Sequence, residues 1–260
     1  MDRPAYSSLR SVVRRRLDPD ARFGLRATLA LVALLLVAVP FGVLLVQVRR
    51  DGVLLDLDRS VATGLHGWLR GRETLAVLFE IVTAIGTFAG LGTLVIIGAV
   101  ILLRSGRRRL LVFLLTATIG GWVLNNGVKL AVGRQRPTFD DPFTIARGLS
   151  FPSGHAMSST VVLGALLMVF LPAVRASRRT PTVVAVTGLV LLIGFTRLAL
   201  GVHYLTDVVA GFVLGAAWLT VCVAIFSLWR IDRGRRPVDP LEGLEPEASR
   251  DLRGAVRKPV

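Results

Sequence analysis

The chain has 260 residues, of which 53% are hydrophobic, and it carries a formal net charge of +15 at pH 7. Its mean hydropathy of +0.63 and its long apolar runs predict an integral membrane protein, because a helix that crosses the hydrocarbon core needs roughly 20 apolar residues. The single cysteine, Cys222, excludes an internal disulfide and a zinc site built from cysteines.

Six apolar runs are predicted to be transmembrane helices, since a helix in lipid satisfies its own backbone hydrogen bonds. A basic leader, residues 1–26, precedes them. A polar, proline-rich tail, residues 231–260, follows and is predicted to be disordered. Residues 27–230 are thus predicted to form an all-α polytopic membrane bundle. The predicted spans are Ala27–Val48, one within Leu75–Leu103, Leu110–Val132, His155–Leu171, Val183–Leu200 and Leu205–Leu228.

Two segments early in the chain are open to more than one interpretation. Residues 49–74 are mixed in character, and Val61–Leu69 is predicted to form a short helix at the membrane interface. Leu75–Leu103 is long for one crossing and contains four glycines, among them Gly86, Gly90 and Gly92. It is predicted to be either a tilted span or an interfacial piece followed by a span.

Arginines cluster at the ends of the apolar runs, a pattern typical of topology signals and of contacts with anionic lipid headgroups. No nucleic-acid motif accompanies the charge, so no nucleic-acid partner is predicted. The bias places both termini in the cytoplasm of a multi-pass protein of the cell membrane. It also places the polar loop 133–154 and the turn 201–204 on the outer side.

Three polar stretches lie at the predicted outer ends of spans: residues 129–137, 152–155 and 197–207. In the second stretch, a helix N-terminus offers free N–H groups to a phosphate, Gly154 permits close approach of the backbone, and Ser153 can donate a hydrogen bond. His155 would then lie where it can protonate a leaving oxygen. Taken alone, the stretch also fits an ordinary serine N-cap.

His203 and Asp207 are four residues apart and are therefore neighbours on one helix. A carboxylate that accepts from one ring nitrogen leaves the other nitrogen free as a nucleophile. The pair alone also fits a helix cap, and a zinc site is a third interpretation. A zinc site needs more ligands, whereas the nearby candidates are mostly cations.

Three cations accompany these residues. Lys129 lies within the apolar register of its span, where an ionisable group is costly and indicates function. Arg136 and Arg197 carry planar guanidinium groups that can bind two phosphate oxygens each. Arg134 is a candidate fourth phosphate contact, but the favoured prediction is a solvated loop charge.

At these residues the sequence resembles the type 2 phosphatidic acid phosphatase superfamily, which also includes the vanadium haloperoxidases. The family pattern is Lys-x6-Arg-Pro, then Pro-Ser-Gly-His, then Ser-Arg-x5-His-x3-Asp. Thr196 stands where the family usually has Ser, and it keeps the hydroxyl. The motifs cover residues 129–207, with a looser likeness in helix number and spacing over about 27–230. The matching residues are Lys129, Arg136, Pro137, Pro152, Ser153, Gly154, His155, Arg197, His203 and Asp207.

The resemblance implies a membrane-embedded phosphatase with its catalytic domain at 27–230, acting on a lipid phosphomonoester or pyrophosphate. Phosphatidic acid, phosphatidylglycerophosphate and undecaprenyl pyrophosphate all fit. His203 would form a phosphohistidine, Asp207 would orient it, and His155 would protonate the leaving group and then activate water. The implied phosphate ligands are Lys129, Arg136, Ser153, Gly154 and Arg197.

The resemblance implies no metal and no other cofactor, and the expected partners are the lipid phosphate and the membrane lipids. Two alternatives stay open. One is a lipid phosphotransferase, which would pass the phosphoryl group from the same intermediate to an acceptor other than water. The other is a non-catalytic lipid-binding or transport protein on the same fold.

Overall fold

The structure is a computed structural model that describes residues 41–42, 45–46, 53–235, 238–239 and 241–257. The predicted leader and most of the first predicted span lie outside these residues. The described part is all-α, as predicted. Its named helices are α1 (Val53–Leu69), α2 (Glu73–Ile85), α3 (Phe88–Arg104), α4 (Arg108–Val132), α5 (Gly154–Phe170), α6 (Ala176–Ala199), α7 (Leu205–Asp232) and α8 (Ser249–Arg257).

Four of these elements are long and apolar enough to cross a membrane: α4, α5 with the short 3-10 turn that follows it, α6 and α7. Helices α2 and α3 together make a fifth candidate span, bent by 41°. The chain is therefore a helical membrane protein, and the described residues contain four or five of the six predicted crossings.

The long run Leu75–Leu103 is resolved into two helices joined by a bend. Gly86 ends α2, and the Thr87 side chain caps the start of α3 by accepting a backbone N–H. A Cβ at Gly86 would lie 2.7 Å from Cγ2 of Ile193 and 3.0 Å from Cδ2 of His155. The absence of a side chain thus lets the bend approach α5 and α6 closely.

Helix α5 packs closely against α7 through two glycines four residues apart. A Cβ at Gly211 would lie 2.8 Å from the carbonyl oxygen of Ser153, and one at Gly215 would lie 2.9 Å from that of Met157. Small residues at this spacing let membrane helices approach backbone to backbone. The contact brings the two helix N-termini together, and the Ser153 N–H donates to the Asp207 carbonyl at 2.9 Å.

Helix α1 begins at Val53, earlier than the predicted helix that starts at Val61. The early part of the segment contains Asp56 and Asp58, which made its composition mixed and gave no helix prediction before Val61. In the structure, however, Asp58 is 1% exposed and is paired inside the bundle. The ion pair with Arg134 therefore explains how Asp58 can be buried within a packed helix.

The tail also differs from the predicted disorder. Leu244, Ala248 and Leu252 are fully buried and join the core cluster formed with α3, α4, α5 and α7. Their spacing of four residues makes one apolar stripe on an otherwise charged segment. Arg107 at the start of α4 pairs with Asp251 of α8. The prediction of disorder used the overall composition of the tail, which is polar, and so did not detect this stripe.

Candidate active site

A cavity of about 450 Å³ opens at the end of the bundle where α4 ends and α5 and α7 begin. Six of the eight predicted site residues line it, and the other two, Ser153 and Asp207, lie next to residues that do. The structure therefore brings the three polar stretches into one cavity. The six lining residues are Lys129, Arg136, Gly154, His155, Arg197 and His203.

His203 lies in the turn before α7 and is 2% exposed. Its Nδ1 atom is 3.4 Å from Asp207 Oδ2 and 3.3 Å from Ser150 Oγ. Its Nε2 atom is 3.0 Å from Arg136 Nη1. Because a guanidinium can only donate, Nε2 is the acceptor and the ring proton lies on Nδ1, towards Asp207.

The His203 ring is neutral at ordinary pH. Burial lowers the pKa of His203 to about 4, although the hydrogen bond and the negative charge of Asp207 act in the opposite direction. A neutral ring with its proton on Nδ1 leaves the lone pair of Nε2 on the cavity side. That is the form of histidine that can act as a nucleophile.

Asp207 is fully buried, and both of its carboxylate oxygens accept hydrogen bonds. Oδ2 accepts from Ser150 Oγ at 2.5 Å and from the Tyr204 N–H at 2.9 Å. Oδ1 accepts from Arg134 Nη1 at 2.7 Å. The orientation of the carboxylate beside His203 is therefore determined by three separate donors.

Lys129 and Arg136 are held at the cavity by carbonyls of the loop that follows α4 and of the turn before α7. Lys129 Nζ donates to the carbonyl of Leu149 at 2.7 Å. Arg136 donates from Nε to the carbonyl of Gly148 at 2.9 Å and from Nη1 to that of Val202 at 2.7 Å. These contacts leave the two positive charges without a carboxylate partner at hydrogen-bond distance in the described residues, so their charge is available to an anion.

Three buried polar atoms of the site have no hydrogen-bond partner in the described part of the chain: Nε of Arg197, Oγ of Ser153 and Nε2 of His155. Arg197 is otherwise held by Thr83, whose Oγ1 accepts from Nη1 at 3.1 Å. Ser153 precedes α5, but its side chain makes no capping bond, so the N-cap interpretation does not account for it. An unpaired buried polar group costs about 1–3 kcal/mol, which favours a site completed by a polar ligand.

The prediction for Arg134 was wrong, because its side chain is only 8% exposed and bridges two carboxylates. Asp58 and Ser150, which complete this network, were not predicted at all. Asp58 lies within a mostly apolar stretch, and such a carboxylate is a signal of pairing that the sequence does contain. Glu80 and Arg147 also line the cavity without belonging to the three stretches.

The third histidine, His66, anchors the loop that carries Arg136. Its ring stacks on Phe139 with centroids 4.0 Å apart, and its Nε2 is 3.2 Å from Oδ1 of Asp141. Hydrogen bonds from Arg70 and His66 lower the pKa of Asp141 to about 2. This cluster ties the loop to the end of α1.

The described residues contain no group of three or more histidine, cysteine, aspartate or glutamate side chains that could hold a metal ion. His203 and Asp207 are instead surrounded by Arg134, Arg136 and Lys129, and cations of this kind repel a metal. The donor set therefore does not fit the zinc interpretation of the His203–Asp207 pair.

Comparison with known proteins gives a consistent result. The family model described as PAP2 superfamily matches residues 109–231. Phosphatidylglycerophosphatase B of Bacillus subtilis is 37% identical over 97 residues, which are 36% of this chain and 46% of that protein. Lipid A 1-phosphatase of Rhizobium etli is 34% identical over 122 residues, 44% of this chain and 48% of that protein. This chain thus matches less than half the length of these curated relatives.

A solved structure shares the fold. The crystal structure of a transmembrane PAP2-type phosphatidylglycerolphosphate phosphatase from Bacillus subtilis superposes with a TM-score of 0.66 at 23% sequence identity. The superposition covers 73% of this chain and 93% of that one. The helical membrane architecture is therefore shared over most of both chains.

Proposed function

We propose that the chain, whose residues 109–231 match the PAP2 superfamily model, is a membrane-embedded phosphatase acting on a lipid phosphate. One observation carries the proposal: the unprotonated Nε2 of His203 lies in a cavity that also contains Lys129, Arg136 and Arg197. A neutral imidazole beside three cations suits attack on an anionic phosphorus centre, because the cations stabilise the charge of the transferring group.

The proposed reaction has two steps. First, Nε2 of His203 attacks phosphorus, the bond between phosphorus and the lipid oxygen breaks, and His155 gives a proton to that oxygen. The Nδ1–H bond to Asp207 stabilises the ring, which is positive in the phosphohistidine. Water then attacks phosphorus, the P–N bond breaks, and His155 takes the proton of the water. The sum is hydrolysis to inorganic phosphate and the lipid product, with both histidines restored.

The phosphate oxygens are bound by the three cations, by Ser153 Oγ and by the backbone of Gly154 at the start of α5. Ser153 and Arg197 each have an atom that lacks a partner in the described structure, and a phosphate supplies acceptors for both. The cations provide the electrostatic stabilisation for which many phosphatases use a metal, so the proposed reaction is independent of metal ions.

An amphiphilic substrate is supported by the walls of the cavity. Ile145, which lines it, is 84% exposed, and Phe88, which follows the lining residue Thr87, is exposed to the same degree. Apolar side chains at the mouth of a cationic cavity suit a phosphate attached to acyl or prenyl chains. The named relatives act on phosphatidylglycerophosphate and lipid A, so both classes of headgroup are candidates.

The function is tested by measuring phosphate release from phosphatidic acid, phosphatidylglycerophosphate, undecaprenyl pyrophosphate and lipid A, with the purified chain in mixed micelles. We expect release from at least one lipid, and a loss of about 10⁴-fold or more in His203→Ala, which lacks the nucleophile. The matched control is Arg178→Gln, an exposed substitution outside the cavity, which should keep full activity. An active His203→Ala protein would overturn the phosphohistidine mechanism.

Two additions to the same assay separate the alternatives. Vanadate, which resembles five-coordinate phosphorus, should inhibit, whereas EDTA should not; inhibition by EDTA would overturn metal independence. In H₂¹⁸O, hydrolysis places the label in the released phosphate. Transfer of the phosphoryl group to a second lipid, without labelled phosphate, would identify a phosphotransferase instead.

A further inference from the structure

A buried chain of charges connects α1 with the candidate active site. Asp58 on α1 accepts hydrogen bonds from Arg134 Nη2 at 2.7 Å, from the Thr206 N–H at 2.9 Å and from Thr206 Oγ1 at 2.5 Å. Arg134 then donates from Nη1 to Asp207 Oδ1 at 2.7 Å. Asp58 lies outside residues 109–231, so an element beyond the matched segment is bound directly to the site.

Arg134 is fully engaged by this arrangement. Its guanidinium binds one carboxylate with each terminal nitrogen and lies over the Tyr204 ring, 4.1 Å from the centroid. Burial lowers the pKa of Arg134, but the negative charges of Asp207 and Asp58 raise it by a larger amount. Its pKa therefore lies above the ordinary value, and the group remains a cation. A cation in this position stabilises the buried charge of Asp207, which would otherwise be expensive to keep.

The two carboxylate oxygens of Asp207 have different partners. Arg134 takes Oδ1, which leaves Oδ2 for Ser150, the Tyr204 N–H and Nδ1 of His203. Without Arg134 the carboxylate can rotate or take up a proton, and either change weakens its bond to Nδ1–H. Without Asp58, Arg134 loses its anchor on the side away from Asp207.

We propose that Asp58 and Arg134 are positioning residues: they orient Asp207 and keep it ionised, and so they hold His203 in the Nδ1–H tautomer, in which Nε2 is unprotonated. The catalytic meaning of this network rests on the proposed function, whereas the tautomer does not. Asp58 also accepts a backbone N–H in the first turn of α7, where a carboxylate is favoured by the helix dipole.

The test compares Asp58→Asn, Arg134→Gln and Arg134→Lys with a variant that breaks the ion pair of a different buried arginine, at the other end of the bundle. That control is Arg230→Gln, which removes the 2.9 Å contact of Arg230 with Glu247. Partners that orient a metal-bound histidine typically contribute 10- to 100-fold to metal affinity or activity, and we apply the same range to the partners of His203. We therefore expect kcat to fall about 10- to 100-fold in Asp58→Asn and Arg134→Gln, with KM within about 2-fold. Arg134→Lys keeps the charge but cannot bridge both carboxylates and should be intermediate.

Arg230→Gln should lower the melting temperature and leave kcat unchanged. The independent readout is the ¹⁵N NMR spectrum of the His203 ring, which distinguishes Nδ1–H from Nε2–H. The wild type should show Nδ1–H, and Arg134→Gln should show a mixture, whether or not any lipid is hydrolysed. An unchanged tautomer in folded Arg134→Gln, or a kcat loss no larger than that of Arg230→Gln, would overturn the proposal.

Discussion

Arg136 donates a hydrogen bond from Nη1 to Nε2 of His203 across 3.0 Å. The lone pair that we propose attacks phosphorus is therefore already engaged by a cation. Attack requires that the phosphate oxygens draw the guanidinium away from the ring. Binding of the phosphate is thus coupled to release of the nucleophile, and both events depend on the same side chain.

Replacing Arg136 should therefore have opposite effects on catalysis and on the reactivity of His203. We expect Arg136→Gln to lose about 10²- to 10³-fold in kcat/KM, because one stabilising donor is removed from the transition state. Modification of His203 by diethyl pyrocarbonate, followed by mass spectrometry, should become faster because Nε2 is uncovered. Slower modification would show that the hydrogen bond does not protect the ring.

The low pKa of His203 predicts a specific dependence of stability on pH. Its ordinary pKa is about 6.5 in the unfolded chain, and burial lowers the pKa of His203 to about 4 in the fold. Between these values the unfolded chain binds more protons, so the stability contributed by the neutral ring is complete above pH 6.5 and is lost as pH falls towards 4.

This dependence can be measured from thermal unfolding between pH 7 and pH 4 in wild type and in His203→Gln. The fall in melting temperature over this range should be smaller in the variant, which cannot take up a proton at this position. The histidine ring signals in NMR should show His203 still neutral at pH 5. Equal slopes for the two proteins, or a ring protonated near pH 6.5, would contradict the prediction.

A substitution at Gly154 should affect the binding of phosphate without affecting folding. A Cβ at this position would meet Asn125 Oδ1 at 3.5 Å and Lys129 Cε at 3.9 Å, which are ordinary contacts. We therefore expect Gly154→Ala to fold with an unchanged melting temperature but to bind phosphate and vanadate more weakly, because the methyl group occupies space beside the anion. Inhibition constants for vanadate measure this directly, and an unchanged constant would remove Gly154 from the phosphate site.

The tail should contribute to stability and not to chemistry. Leu252 is fully buried in the core at the end of the bundle away from the cavity, whereas Leu241 is 58% exposed. Leu252→Ala should cost about 2–5 kcal/mol of stability and leave kcat unchanged per folded molecule. Leu241→Ala is the matched control and should change neither quantity. A loss of kcat in folded Leu252→Ala would connect the tail to the site.

Membrane orientation can be tested at Asp140, an exposed residue of the loop that closes the cavity. We propose that this loop faces outward, because the arginine clusters at 104–109, 175–179 and 230–235 lie at the opposite ends of the helices. Asp140→Cys, in a Cys222→Ala background, should react with an impermeant maleimide in intact cells. Labelling that requires lysis would place the cavity on the cytoplasmic side.

The sequence predicted most of the site because its residues occur at helix ends that the order of the spans brings together. For Lys129, His155 and His203, the direction of each helix was sufficient to predict that they lie at the same end of the bundle. Arg134 could not be assigned in this way, because its partner Asp58 comes from a separate helix far away in the chain. Local composition describes a charge near a loop, and only tertiary packing determines whether it is solvated or paired.

Local composition was also insufficient to predict the packing of the tail and the bend between α2 and α3. The stripe of Leu244, Ala248 and Leu252 is regular, but it lies in a segment whose average composition is polar. Gly86 is evident in the sequence, whereas the close approach of its backbone to Ile193 and His155 is visible only in the structure. Periodicity predicts helices, and packing between distant residues determines where they break.

The bend at Gly86 has a mechanical consequence for the activity that we propose. Its inner side lies against the His155 ring, and both of its arms carry exposed apolar side chains, among them Ile81 and Ile96. A bilayer that is too thin or too thick for the pair acts on the angle between such helices. We therefore expect turnover to vary with acyl-chain length in reconstituted vesicles, because bilayer thickness would change the position of the bend beside His155, the proposed proton donor.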